Sequence, residues 1–168
     1  RSVIKALEEQ KVLILESEQV YRNPVICQQK EQKEIIYTEE QRTAIQTFSR
    51  DYEQGLRKTY LLYGVTGSGK TEVYMEMIAK VLSEGRQAIV LIPEIALTYQ
   101  TVMRFYTRFG ERVSILNSRM SQGERYDQME RVKKGEVDIM IGPRSALFTP
   151  FEKLGLIVID EEHEPTYK

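Results

Sequence analysis

The residues best equipped for chemistry lie between Gly64 and Thr71, which read GVTGSGKT. Glycine, lysine and a hydroxyl stand here in the phosphate-loop pattern G-x-x-x-x-G-K-[ST], with Gly64, Gly69, Lys70 and Thr71 at its fixed positions. A loop that wraps a phosphate chain turns its backbone N–H groups inward, which assigns Gly64, Thr66, Gly67, Ser68 and Gly69 to the cradle. Gly67 and Gly69 permit the positive φ angles and the close approach that this demands. Lys70 would then meet the β- and γ-phosphates of ATP as a point charge, and the Thr71 hydroxyl would face Mg2+. A glycine-rich turn with a chance GKT is the plain alternative, and the surrounding sequence has to separate the two.

Downstream, the apolar run Leu156–Ile159 (LIVI) leads straight into DEEH at Asp160–His163. Open α/β sheets meet their ligands at the C-terminal ends of such strands. Asp160 would hold Mg2+ opposite Thr71, and Glu161 would orient or deprotonate an attacking water. An acidic cluster on a solvated loop would have no reason to cap an apolar strand downstream of a GKT loop. His163 is the single histidine of the chain. Such a residue is ordinarily a surface or structural one, but its place two after Glu161 favours a coupling role. Arg104, Arg108, Arg112, Arg119, Arg125, Arg131, Lys133 and Lys134 outnumber the acids around them, with Tyr106 and Tyr126 interleaved. This mixture can track a phosphate backbone and stack bases, and it equally describes the solvated faces of two helices. Arg144 and Ser145 are better placed, on a loop at the C-terminal end of a predicted strand.

The elements that must position these groups follow from periodicity and punctuation. Thr59–Tyr63 (TYLLY) is a β-prone run feeding the loop, and Glu72–Ser83 has Val73, Met77, Ile78, Val81 and Leu82 at helical spacing before Gly85. Strand, loop and helix in that order would set the phosphates at a helix N-terminus. Ala88–Ile92 (AIVLI) reads as a strand buried on both faces, broken by Pro93, with a helix predicted from Glu94 through Leu97, Val102, Phe105 and Tyr106. Val113–Leu116 and Val137–Ile141 are further strands, and Ser121–Lys134 is a polar helix with Ser121 and Glu124 in capping-box positions. The alternation predicts an α/β fold, a doubly wound parallel sheet with helices on both faces. Before it, Thr38 and Gln41 open another helix with the shape of a capping box. Gln41 can cap that helix or turn its amide to an adenine edge, and capping is the better reading from sequence alone.

Residues 1–27 suit the tail of a winged-helix-like domain, or equally a generic helix and ribbon, and the polar stretch 28–36 reads as a linker. A net charge of −1 on 168 residues gives no global nucleic-acid footprint, so any DNA surface must be local. The single Cys27 excludes an internal disulfide framework. No apolar run approaches a membrane span and no signal-peptide core is visible, so no membrane partner is expected and the cytosol is the expected compartment. A start at Arg1 rather than Met suggests a fragment of a longer protein.

Taken together, the motifs resemble those of superfamily 2 helicases. GVTGSGKT matches motif I, IPEIALT at Ile92–Thr98 motif Ia, GPRSALFTP at Gly142–Pro150 motif Ib, and DEEH motif II of the DExH type. The wording of GVTGSGKTEVYM, LIPEIALTYQ, RSALFTPF and LIVIDEEHEPTYK is further similar to the primosomal protein N′ family of bacterial replication-restart helicases. The resemblance covers residues 37–168, as a first RecA-like lobe ending after motif II. It implies a 3′→5′ DNA helicase that uses ATP and Mg2+, acts on forked and single-stranded DNA, and works with primosome and single-strand-binding proteins in the bacterial cytosol. It implies Gln41 as an adenine-reading glutamine, Thr98, Arg119, Arg144 and Ser145 as strand contacts, and His163 as the coupling residue. Tyr99 stands where the family pattern has proline, and Asn117 where it often has histidine. The family's second lobe with its arginine finger, and its cysteine-rich Zn2+ region, are expected outside this chain. An arginine finger supplies about 10³–10⁵ in rate, so this chain by itself is expected to hydrolyse ATP slowly or not at all.

Three other readings compete. Another superfamily 2 DNA translocase would share the motif order but not the wording around RSALF and DEEH. Intact Lys70, Asp160 and Glu161 disfavour a nucleotide-gated DNA-binding scaffold, since a dead ATPase would be free to lose them. A small-molecule kinase would give the RSALF and DEEH segments no task.

Overall fold

The computed structural model describes residues 35–165, together with Leu7, Lys11 and Val12. The expected winged-helix tail and almost all of the expected linker lie outside the described residues.

Helix α1 (Glu39–Glu53) opens with the capping box read from the sequence: Thr38 accepts from the Gln41 N–H, and the Gln41 side chain accepts from the Thr38 N–H. Its buried Phe48 and Tyr52 pack against Val81 of α2 (Lys70–Ser83), so α1 lies along the helix that follows the phosphate loop. Four strands follow: β1 (Gln87–Leu91), β2 (Val113–Ile115), β3 (Ile139–Gly142) and β4 (Leu154–Ile159). They form one sheet in the order β2-β3-β1-β4, and every pairing is parallel. Parallel neighbours need crossovers, so all four strands point their C-terminal ends to one edge.

Period-two alternation divides the core. Ala88, Val90 and Ile92 of β1 and its extension face α2 and α3 (Tyr99–Phe109), meeting Tyr74, Met75, Ile78 and Phe105. Ile89 and Leu91 face the other way, toward Val132 of α4 (Gln122–Lys133) and Met140. Helices therefore cover both faces, as expected. Fully buried side chains such as Ile78 and Phe105 stabilise this sandwich by about 1.5–3 kcal/mol each. Between α4 and the sheet, Gln128 accepts from both Ser114 and Arg131, which keeps three buried polar groups satisfied.

Several expectations need correction. Thr59–Tyr63 forms no strand; residues 56–65 run without a ladder. A strand exists only where a neighbour accepts and donates its backbone hydrogen bonds, and this segment is tied instead to α1. Lys58 Nζ and Tyr60 Oη both donate to the buried Asp51 carboxylate at 2.9 Å, and the Arg57 guanidinium lies 4.1 Å above the Tyr52 ring. Among the described residues β4 is one end of the sheet and β2 the other, and β4 leaves Ile157 and Ile159 exposed. The helix predicted from Glu94 begins only at Tyr99. The Pro93 carbonyl instead accepts from Ala96 and Leu97 in a tight turn, and extended Thr98 is the cap. The predicted helix at Glu72 starts two residues earlier, at Lys70.

Candidate functional site

The phosphate loop has the backbone that its glycines predict. Gly67 and Gly69 adopt φ of +81° and +79°. Gly69 is the left-handed cap of α2 and offers no side chain, so the first N–H groups of the helix stay open toward the loop, the arrangement that attracts anions. Thr66, Gly67 and Ser68 are exposed, while Gly64, Lys70 and Thr71 are half-buried. Lys70 Nζ donates to the carbonyls of Gly64 (2.7 Å) and Val65 (3.0 Å), folding the ammonium over the loop.

Gln41 does more than either role weighed from the sequence. Its Oε1 accepts from the Thr38 N–H at 2.9 Å, and its Nε2 donates to the Ser68 carbonyl at 2.8 Å. One amide thus caps α1 and anchors the phosphate loop. The contact also explains Gly69 a second time, since a Cβ there would stand 2.5 Å from Gln41 Nε2. Nothing local in the sequence signals a bond that spans 27 residues.

At the end of β4, the Asp160 N–H donates to the Leu91 carbonyl and fixes the chain beside β1. Asp160 Oδ1 accepts from the Glu161 N–H at 3.1 Å, and Oδ2 accepts from Tyr74 Oη at 3.0 Å. Tyr74 stands one helical turn after Thr71 on α2. Burial first, and then the Asp160 charge, push the Tyr74 phenol far above its ordinary range, so it remains a donor at any physiological pH. Sequence reading did not single out Tyr74. Glu161 sits at φ +52°, a left-handed conformation that costs a non-glycine residue about 1–2 kcal/mol. Strain of this kind concentrates at working sites. His163 is exposed, its Nδ1 lying 3.3 Å from Glu162 Oε2, and none of its described contacts reaches the phosphate loop.

Among the described residues no group of three or more His, Cys, Asp or Glu side chains could enclose a metal ion. Mg2+ in a nucleotide site needs only one or two carboxylates, the rest of its shell coming from phosphates and water. Asp160, held by the Tyr74 phenol, and Thr71, one turn before Tyr74 on α2, fit that donor set.

The loops after β1, β2 and β3 share the same edge. Thr98 caps α3, its Oγ1 accepting from the Thr101 N–H at 3.2 Å. Glu94 Oε1 accepts from the Ser118 N–H at 2.6 Å, clasping the loop after β1 to the loop after β2. Asn117 Oδ1 accepts from the N–H groups of Arg119 and Met120, so asparagine organises its own turn here. Arg119, Arg144 and Ser145 are exposed along this edge, the last two opening the 3-10 turn Arg144–Phe148. Much of the basic stretch does not form a track. Arg131 is buried and donates to Gln128 and to the Glu111 carbonyl, Arg112 pairs with Asp138, Arg108 with Glu76 and Lys133 with Glu130. Arg125 donates to the carbonyls of Asn117 and Ser118. Tyr106 is buried and unavailable for stacking, whereas Tyr126 is exposed.

The pattern that describes DEAD/DEAH box helicases matches residues 38–168. The chain belongs to this helicase family. The parallel sheet with helices on both faces is accordingly a RecA-like helicase lobe, as the motifs implied. The chain is similar to the replication restart protein PriA of Bacillus subtilis (strain 168), 48% identical over 161 residues, which are 95% of this chain and 20% of that protein. The protein of the same name from Chlamydia muridarum is 47% identical over 131 residues, 78% of this chain and 17% of the relative. That from Haemophilus influenzae is 50% identical over 109 residues, 65% of this chain and 15% of the relative. The chain therefore spans about a fifth, or less, of the length of these relatives. No helix among the described residues is long and apolar enough to cross a membrane.

Proposed function

We propose that residues 37–168 are the ATP-binding first lobe of a 3′→5′ replication-restart DNA helicase, with residues 1–27 the tail of a winged-helix-like domain and 28–36 the linker. The observation that carries this reading is the Tyr74–Asp160 hydrogen bond, which draws the start of α2 and the end of β4 into one site. Lys70 exchanges the Gly64 and Val65 carbonyls for phosphate oxygens when ATP enters the cradle of Gly64, Thr66, Gly67, Ser68 and Gly69. Gln41 holds that cradle, and the N–H and the lone pair left on its amide can read an adenine edge. Thr71 and Asp160 would hold Mg2+, which would supply charge neutralisation at the phosphates. Glu161 positions the attacking water and accepts its proton. Thr98, Arg119, Arg144 and Ser145 line the path of single-stranded DNA across the ends of β1, β2 and β3, and His163 couples the two ligands. The setting is the bacterial cytosol, with forked DNA, primosome and single-strand-binding proteins as partners.

The test is ATP turnover by the full-length protein carrying this lobe, with and without forked single-stranded DNA, beside Lys70→Ala and Glu161→Gln. DNA-stimulated turnover that both variants lose is expected. DNA binding with no turnover in the wild type would replace the motor by a nucleotide-gated scaffold.

A further inference from the structure

Asp160 reaches the candidate metal position from the end of an edge strand, where a carboxylate has several rotamers within reach. What limits it is Tyr74. The ring is sealed into the main core and stacks on Phe105 of α3, centroids 6.2 Å apart, and only its oxygen leaves the apolar cluster. That oxygen meets Asp160 Oδ2 at 3.0 Å. Tyr74 stands three residues after Thr71, on the same face of α2. A buried phenol one turn beyond Thr71 therefore holds the carboxylate that comes from another element toward the same ion.

We propose that Tyr74 is a positioning residue for Mg2+, presetting the Asp160 carboxylate against the Thr71 hydroxyl from a rotamer that the core locks. The proposal rests on the nucleotide-site reading given above and deepens it. The phenol does not touch the ion or the phosphates. With the Glu161 N–H on Oδ1 and the phenol on Oδ2, each Asp160 oxygen keeps a lone pair for the ion or its water, and the phenol fixes their direction. Since the ring is held by α3 and the oxygen by Asp160 at the end of β4, the geometry of the metal half is set before any nucleotide arrives.

The experiment uses fluorescent mant-ADP binding to the chain, titrated with MgCl2 and repeated in EDTA, for wild type, Tyr74→Phe, Asp160→Ala, the double variant and Lys70→Ala. Tyr74→Phe removes one oxygen and keeps the ring packing, so its thermal midpoint should stay close to that of the wild type. Its affinity in EDTA should match the wild type within about twofold, while the Mg2+ needed for half-maximal enhancement rises about tenfold, the loss expected for one charge-assisted hydrogen bond. Because the effect acts through Asp160, adding Tyr74→Phe to Asp160→Ala should change nothing further. An unchanged Mg2+ requirement in Tyr74→Phe, with Lys70→Ala losing binding as expected, overturns the positioning role alone. An equal loss in EDTA and in Mg2+, or a further loss in the double variant, also overturns it, since a general structural role then suffices. Wild type that takes up no mant-ADP under either condition removes the nucleotide site itself, and the proposal with it.

Discussion

Gln41 offers a way to separate a helix cap from a loop anchor, because its two amide atoms serve the two purposes separately. Replacing it by alanine removes the bond to the Thr38 N–H and the bond to the Ser68 carbonyl together. Each is an exposed neutral hydrogen bond with a net contribution of about 0.5–1.5 kcal/mol, so Gln41→Ala should cost roughly 1–2 kcal/mol. For a chain of this size that lowers the thermal midpoint by about 2–8 °C. Gln41→Glu behaves differently. A carboxylate still accepts from the Thr38 N–H, with added support from the helix dipole, so stability should stay within about 0.5 kcal/mol of wild type. Its second oxygen cannot donate to Ser68, and the loop loses its tether in both variants. Losing about 1 kcal/mol of preorganisation should weaken nucleotide binding roughly fivefold. Calorimetric melts and mant-nucleotide titrations read the two effects independently. The tether should weaken ADP and GDP alike, and any excess loss for ADP measures adenine reading. Gln41→Glu binding GDP as tightly as wild type would refute the tether, and an unchanged melting temperature in Gln41→Ala would refute the cap.

Two further predictions concern stability. Hydrogen bonds from Lys58 and then Tyr60 hold the Asp51 carboxyl below its ordinary range. A carboxylate with a depressed folded pKa stabilises fully above its unfolded value of about 3.9 and loses that contribution as pH falls through the folded one. Melts taken downward from pH 4 should therefore fall more steeply for wild type than for Asp51→Asn, which should already melt lower at pH 7. Parallel curves below pH 4 would refute the assignment. Glu161→Gly relieves the left-handed residue and should raise the melting temperature by about 2–4 °C, the effect of roughly 1 kcal/mol, while turnover of the full-length protein disappears. A lowered melting temperature would show that the turn depends on the glutamate side chain.

What could be read in advance was whatever is local in the chain. Both capping boxes, Thr38 with Gln41 and Ser121 with Glu124, involve residues three apart and form as expected. The φ angles of Gly67 and Gly69 follow from the motif, and the buried run Ala88–Leu91 from its unbroken apolarity. What could not be read depends on partners distant in sequence. TYLLY has strand propensity but no ladder neighbour, and Asp51 claims its Tyr60 together with the preceding Lys58. Arg131 looks like a solvated cation until the buried Gln128 oxygen and the Glu111 carbonyl take its guanidinium. Tyr74 looks like one more core position of α2, because its partner Asp160 lies 86 residues further on. At the start of α3, Pro93 signalled a break but not that Thr98 would supply the cap.

The outermost strand also governs how this chain behaves in a tube. β4 is hydrogen-bonded on one side only among the described residues, and its open rim carries isoleucines in place of the lysines or prolines with which proteins usually blunt such a border. A rim of this kind templates the addition of any extended segment, including that of another molecule. Turbidity and oligomers that grow with concentration would then report docking between correctly folded molecules at this border, and would not indicate misfolding of the core. A charged residue in place of the exposed Ile157 is the direct remedy for work at high concentration.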